Sequence, residues 1–209
     1  MKIGTQTGNT NSMMAAQAAR AKQAAYPQNR GDVDLGVDDK IDPGEARTMV
    51  MNAIPKLEAE EGGWGEKHGT IMEVLRANPN DRAMVSDTDE MLLLKINFPE
   101  KVKISQIGIR ADKPPEGCEN DMSRPQSIKV FVDMPDLCFP DVEEETTFKK
   151  EFEMSKDEEY FQLPGHHFGR VKTLQIFVQT NSEDTEHTFL NRVAIKGHLT
   201  ENYHTNSLR

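Results

Sequence analysis

The chain has 209 residues, 36% apolar and 29% charged, and a net charge of −10. That length suits one β-sandwich with segments to spare, and the modest apolar share leaves part of the chain without a core to join. An acidic body repels nucleic acid and anionic membrane, so neither is expected as a partner; no apolar run approaches the roughly 18 residues of a membrane span, and no secretory apolar region opens the chain.

Residues 1–41 read as an extended or disordered basic tail. Lys2, Arg20, Lys22 and Arg30 are the charged residues of positions 1–31, with no acid among them. Ser12 to Ala25 reads as a short Ala-rich helix, capped by Ser12 and ended by Pro27, that needs a surface to hold it. Arg20 and Lys22 are its candidates for contact with an acidic partner.

Residues 42–83 read as a helical lead-in that packs on the domain behind it. Asp42-Pro43-Gly44-Glu45 has the form of a helix start: Asp42 as cap, Pro43 at the first position, Glu45 closing a capping box. Ala46, Met49, Val50, Ala53, Ile54 and Leu57 follow at helical spacing until Pro55 ends or kinks the helix. Trp64 stands among Gly62, Gly63 and Gly65, either as an interface anchor or as a pin that packs on the domain. A second short helix is expected over 66–77, around Ile71, Met72 and Leu75.

From Asp89 the period changes to two. Leu92, Leu94, Ile96 and Phe98 alternate, and Pro99-Glu100-Lys101 turns the chain. Val102 and Ile104 share one phase, whereas Ile107 and Ile109 are shifted by one, the slip that a β-bulge near Ser105-Gln106 produces. A polar loop runs from Ala111 to Pro125. Ile128, Val130 and Val132 form the next strand, Phe148 and Phe152 another, and Tyr160, Phe161 and Leu163 a third. Leu174, Ile176 and Val178 precede a last strand through Phe189, Val193 and Ile195, closed by Gly197. Short strands in series with no helices between them indicate a mainly β protein, an antiparallel sandwich or jelly roll.

Residue chemistry gives no active site. Asp87, Asp89 and Glu90 fit loop acids that tie down N–H groups or sit in solvent better than a cation site. Asp34–Glu45 has a partial calcium-loop pattern, but Asp39 stands where the turn needs glycine and Gly36 offers no side-chain ligand. His166 and His167 would point opposite ways along a strand. Cys118 and Cys138 form no CxxC, no zinc spacing and no disulfide framework, and neither has a neighbour in sequence that would activate it. No cofactor, metal or catalytic residue is expected, and the thiols suit a reduced, cytoplasmic setting.

The blocks from Met84 to Gly197 resemble the PITH family, whose name denotes a proteasome-interacting thioredoxin domain. The resemblance is carried by Ser86-Asp87-Thr88-Asp89-Glu90 before Met91-Leu92-Leu93-Leu94, by Val102-Lys103-Ile104-Ser105-Gln106-Ile107, by Pro125 to Pro135 followed by Phe139-Pro140-Asp141-Val142-Glu143, and by Phe168 to Thr188 with Ile176-Phe177-Val178-Gln179 and Asn181. It implies a galactose-binding-like jelly roll over 84–197, with 198–209 as a C-terminal tail. It also implies a non-catalytic adaptor that binds other proteins, the proteasome first among them. The basic tail supports an alternative, a structural subunit of a cytoskeletal array such as a ciliary or flagellar axoneme. An enzyme or lectin is the least supported reading.

Overall fold

In the computed structural model the described residues are 31–42, 48–54, 68–76, 82–116, 121–144 and 148–200. One compact unit begins at Asp32. Its elements are β1 (Val33–Asp34), β2 (Met49–Met51), α1 (Ile71–Leu75), β3 (Met84–Val85), β4 (Leu92–Arg110), β5 (Met122–Ser123), β6 (Ser127–Val132), α2 (Phe139–Glu144), β7 (Lys150–Glu153), β8 (Glu158–Gln162), α3 (Gly165–Phe168), β9 (Val171–Val178), β10 (His187–Leu190) and β11 (Arg192–Leu199).

The fold turns on β4, which belongs to two layers. Leu92–Asn97 pairs with β9 on one side and β2 on the other, while Val102–Arg110 pairs with β11 and β8. One layer is therefore β2-β4-β9-β6-β7 and the other β1-β11-β4-β8, with all of these pairings antiparallel. The ladder with β9 skips from Asn97 to Val102. Both ends of β4 return to the same end of the molecule: Thr188 Oγ1 donates to Glu90 O at 2.7 Å, and Asn191 N–H donates to Arg110 O at 2.9 Å. The chain thus folds over at Phe98–Lys101, as Pro99-Glu100-Lys101 predicts, while the strand continues into the second layer.

Period-two patterning builds the core between the layers. Leu92, Leu94, Ile96, Ile128, Val130, Leu174, Ile176 and Val178 from one layer meet Ile104, Ile107, Ile109, Val193 and Ile195 from the other, all at or below 1% exposure. The phase slip is a bulge: Lys196 faces Gln106 and Gly197 faces Ile104, leaving Ser105 as the extra residue. Its hydroxyl donates to Lys196 O at 3.2 Å. The bulge lets Val102, Ile104, Ile107 and Ile109 all point inward, although their spacing cannot fit one unbroken pleat. The first layer also buries part of its outer face, where Leu93, Phe131 and Phe177 pack under Leu137 and Val142.

Three expectations are corrected. Where a helix over 43–54 was expected, Met49–Met51 is a strand on the edge of β4, with Met49 opposite Lys95 and Met51 opposite Leu93. Residues 43–47 and 55–60 lie outside the described residues. A three-residue strand has no alternation to show, and pairing with a long strand overrides a helix-like spacing. The tail expected over 1–41 ends earlier: Val33–Asp34 pairs with β11, and Leu35 and Ile41 are 0% and 2% exposed. Each contributes about 2 kcal/mol by burial. At the other end, β11 runs to Leu199 and Thr200 N–H donates to Lys101 O at 3.0 Å, so the sandwich extends past Gly197. Of the helix expected over 66–77, the described residues show the shorter α1, with Thr70 and Glu73 forming a reciprocal capping box.

Candidate functional site

One end of the sandwich is built from buried short polar side chains that aim acids outward. Beneath it lies a small cluster of Ala83, Val85, Ala111, Met122 and Phe189, spanned by a sheet in which β10 lies between β3 and β5. Ser86 and Thr188, both fully buried, hold the first loop: Ser86 N–H donates to Thr188 O and Thr188 N–H to Ser86 Oγ, each at 2.9 Å.

Asn52, at the end of β2, ties the same loop from the side. Its Oδ1 accepts Thr88 N–H at 3.0 Å, and its Nδ2 donates to Asp89 Oδ1 and Met91 O, each at 2.7 Å. Asp89 Oδ1 also accepts Met91 N–H at 3.0 Å. Asp89 is thus a loop acid that ties down an N–H group, as its sequence setting suggested. Asp87 points into solvent.

The second loop, Asn181 to Glu186, is organised by Asn181. Its Oδ1 accepts Thr185 N–H at 3.0 Å and its Nδ2 donates to Thr185 O at 2.7 Å and His187 O at 3.1 Å. Thr185 Oγ1 meets Ser123 Oγ at 3.0 Å, and Glu183 N–H donates to the same Ser123 Oγ at 3.3 Å. Glu183, Asp184 and Glu186 are exposed, and none of them forms an ion pair with a described residue. The nearby Arg124 is engaged: it lies 3.5 Å from Asp157 and donates to Met154 O at 2.7 Å. With buried amides and hydroxyls satisfied locally and Arg124 occupied, the charge the exposed second loop presents is negative.

Glu183, Asp184 and Glu186 carried no local signal in the sequence, whereas Asp87, Asp89 and Glu90 were legible as loop acids. Asn52, Ser86, Ser123 and Thr188 were not, because their partners lie far away in the chain; an Asn at φ 60° is the kind of position where a side chain replaces missing backbone bonds.

Other predicted residues fall elsewhere. Asp34, the first position of the supposed calcium loop, binds Arg192 at 2.7 Å and Lys196 at 3.4 Å through Oδ2. Among the described residues no group of three or more acids, histidines or cysteines could hold a metal ion. His166 and His167 sit on α3 rather than a strand, because Pro164-Gly165 breaks β8; their rings are 4.0 Å apart. Partial desolvation, His166 and Lys149 hold the His167 imidazole below its ordinary pKa. Cys138 gives both its N–H and its S–H to Asp141 Oδ2 at 2.9 Å. That bond raises the thiol pKa and lowers that of the carboxylate, leaving the sulfur a poor nucleophile. Arg20, Lys22, Trp64 and Cys118 lie outside the described residues.

Comparison with known proteins places the fold and the family. The module CpGH89CBM32-5 from Clostridium perfringens, solved in complex with GalNAc-β-1,3-galactose, superposes with a TM-score of 0.50 over 71% of this chain and 92% of its own, at 4% identity. A GH29 fucosidase from Ruminococcus gnavus, in complex with fucose, gives 0.51 over 90% of this chain and 30% of its own, at 12% identity. At such identities the likeness is one of fold, a jelly-roll sandwich of the galactose-binding-like type. In sequence, the human protein named PITH domain-containing protein 1 is 25% identical over 172 residues, 78% of this chain and 77% of that one. The profile of the PITH domain matches residues 64–208, from Trp64 through all of the sandwich that follows it. On that match, the chain belongs to the PITH domain family.

Proposed function

We propose that the protein is a non-catalytic interaction module of the cytoplasm that docks a basic surface of a large complex, the proteasome, through its acidic loop end. The observation that carries this reading is the second loop. Asn181, Thr185 and Ser123 fix its backbone, so Glu183, Asp184 and Glu186 are presented without the entropy that a mobile loop loses on binding. Such a surface acts chiefly on encounter rate and selectivity, and its effect weakens with salt. Family membership supports the protein-binding role, and the name of the family points to the partner.

The test is affinity purification of the tagged full-length protein from its own cells, compared with the triple variant Glu183→Lys, Asp184→Lys, Glu186→Lys. Proteasome subunits retained by the parent at low salt and lost with the variant are expected. Equal retention by both proteins rejects the acidic end as the docking surface. Absence of proteasome subunits from the parent eluate rejects the partner.

A further inference from the structure

A second site lies on the outer face of the first layer, on a part of the sheet that the described residues of α2 and its loop do not cover. It is a half-open pocket of about 180 Å³ with Lys95, Asn97, Thr173 and Gln175 around it, walled by Met49 from β2 and by Pro135. The four polar residues are two direct cross-strand pairs, Lys95 with Gln175 and Asn97 with Thr173, so the sheet fixes their spacing.

The direction of each hydrogen bond sets what the pocket offers. Gln175 has no exposed surface and joins wall to floor. Its Oε1 accepts Met134 N–H at 3.3 Å, and its Nε2 donates to Thr173 Oγ1 at 3.0 Å. Met134 N–H can only donate, which fixes the orientation of the amide. Thr173 Oγ1 is therefore an acceptor in this bond, and its own hydrogen turns elsewhere; no described residue accepts it. Lys95 Nζ gives one hydrogen to Pro135 O at 3.2 Å and has two left. The Asn97 carboxamide makes no hydrogen bond with a described residue. Asp141 is an acid within electrostatic reach of Lys95, and its Oδ2 is engaged by Cys138. The pocket thus presents a cation, a hydroxyl hydrogen and an amide on a rigid floor, with apolar atoms of Met49 and Pro135 beside them.

We infer that this pocket binds the carboxylate of a partner polypeptide, with Lys95 as the charge partner and Thr173 and Asn97 as the neutral donors. It is separate from the acidic end and does not depend on the partner proposed above.

The test is a nuclear magnetic resonance titration of the ¹⁵N-labelled full chain with three peptides: Ac-Ala-Leu-Glu-NH₂, Ac-Ala-Leu-Gly-OH and the neutral Ac-Ala-Leu-Gln-NH₂. Either acid should shift the amides of Lys95, Asn97, Thr173 and Gln175 saturably below about 10 mM, as a weak single-site ligand does, and the neutral peptide should not. Response to the first alone assigns an acidic side chain, and response to the second alone a chain terminus. Lys95→Met should weaken binding about tenfold, the loss of one charge-assisted bond, with the spectrum otherwise unchanged. No response to either acid, an equal response to the neutral peptide, or unchanged affinity in Lys95→Met overturns the proposal.

Discussion

Tyr160 and Gly108 face each other across β8 and β4, and the tyrosine ring covers the glycine so closely that a Cβ at position 108 would stand 2.3 Å from Tyr160 Cε1. The glycine is needed for this contact and not for an unusual backbone angle. Gly108→Ala should cost about 1–2 kcal/mol in urea unfolding, because the half-exposed ring can swing aside at the expense of its packing. In a Tyr160→Ala background the same substitution should be nearly neutral, so the double-mutant cycle isolates the contact. Gly197 makes the contrast. A Cβ there would lie 2.1 Å from the carbonyl oxygen of Lys103, and backbone cannot swing aside. Gly197→Ala should cost about 3 kcal/mol or more, whatever stands at position 160.

Asn52 combines a left-handed backbone with a side chain that replaces loop hydrogen bonds. Asn52→Gly keeps the backbone permissive and loses the ties, and should destabilise by about 2 kcal/mol. Asn52→Ala should cost about 1 kcal/mol more, the added penalty of a Cβ at positive φ. Thermal unfolding of the pair separates the two contributions. Hydrogen exchange at Thr88 and Met91 should accelerate in both variants, since their N–H groups are held by Asn52 and by Asp89, which Asn52 positions.

The Cys138–Asp141 bond makes a pH-dependent latch at the start of α2. The carboxylate's pKa lies below its ordinary value, so the bond's contribution is present above the usual carboxylate range and is lost as pH falls through the depressed value. The thiol's pKa is raised, so the contribution is full below the ordinary thiol value and is lost as pH rises through the raised one. Alkylation of Cys138 by iodoacetamide, followed near pH 8 in a Cys118→Ser background, should be slow. Asp141→Asn should speed it several-fold by removing the anion that disfavours the thiolate. An unchanged rate would show that Asp141 does not control the sulfur.

Local signals and distant pairings account for what could and could not be read from the chain. Leu92, Leu94, Ile96 and Leu174, Ile176, Val178 alternate because they line one layer's inner face, and the slip between Ile104 and Ile107 marked the bulge at Ser105. Met49-Val50-Met51 gave no such signal: it is a strand only because Leu93–Lys95 offers an edge. Val33 and Asp34 looked like tail because their partners, Gly197 and Lys196, lie at the far end of the sequence. The same separation hid the chemistry of the candidate surface. Asp87, Asp89 and Glu90 could be read, but the side chains that fix their loop pair over long stretches, as with Ser86 and Thr188.

The shared strand has a consequence for how the molecule opens. A sandwich made of two independent sheets can lose one of them and leave the other partly standing. Here the residues of β4 that order the first layer are continuous with those that order the second. Melting either layer therefore strips the hydrogen-bonding edge from the other. Opening of the two layers should be a single cooperative event, with the amides of Leu94 and Ile107 exchanging with solvent at one common rate set by global unfolding, and a protease should find no species in which one layer alone is unfolded.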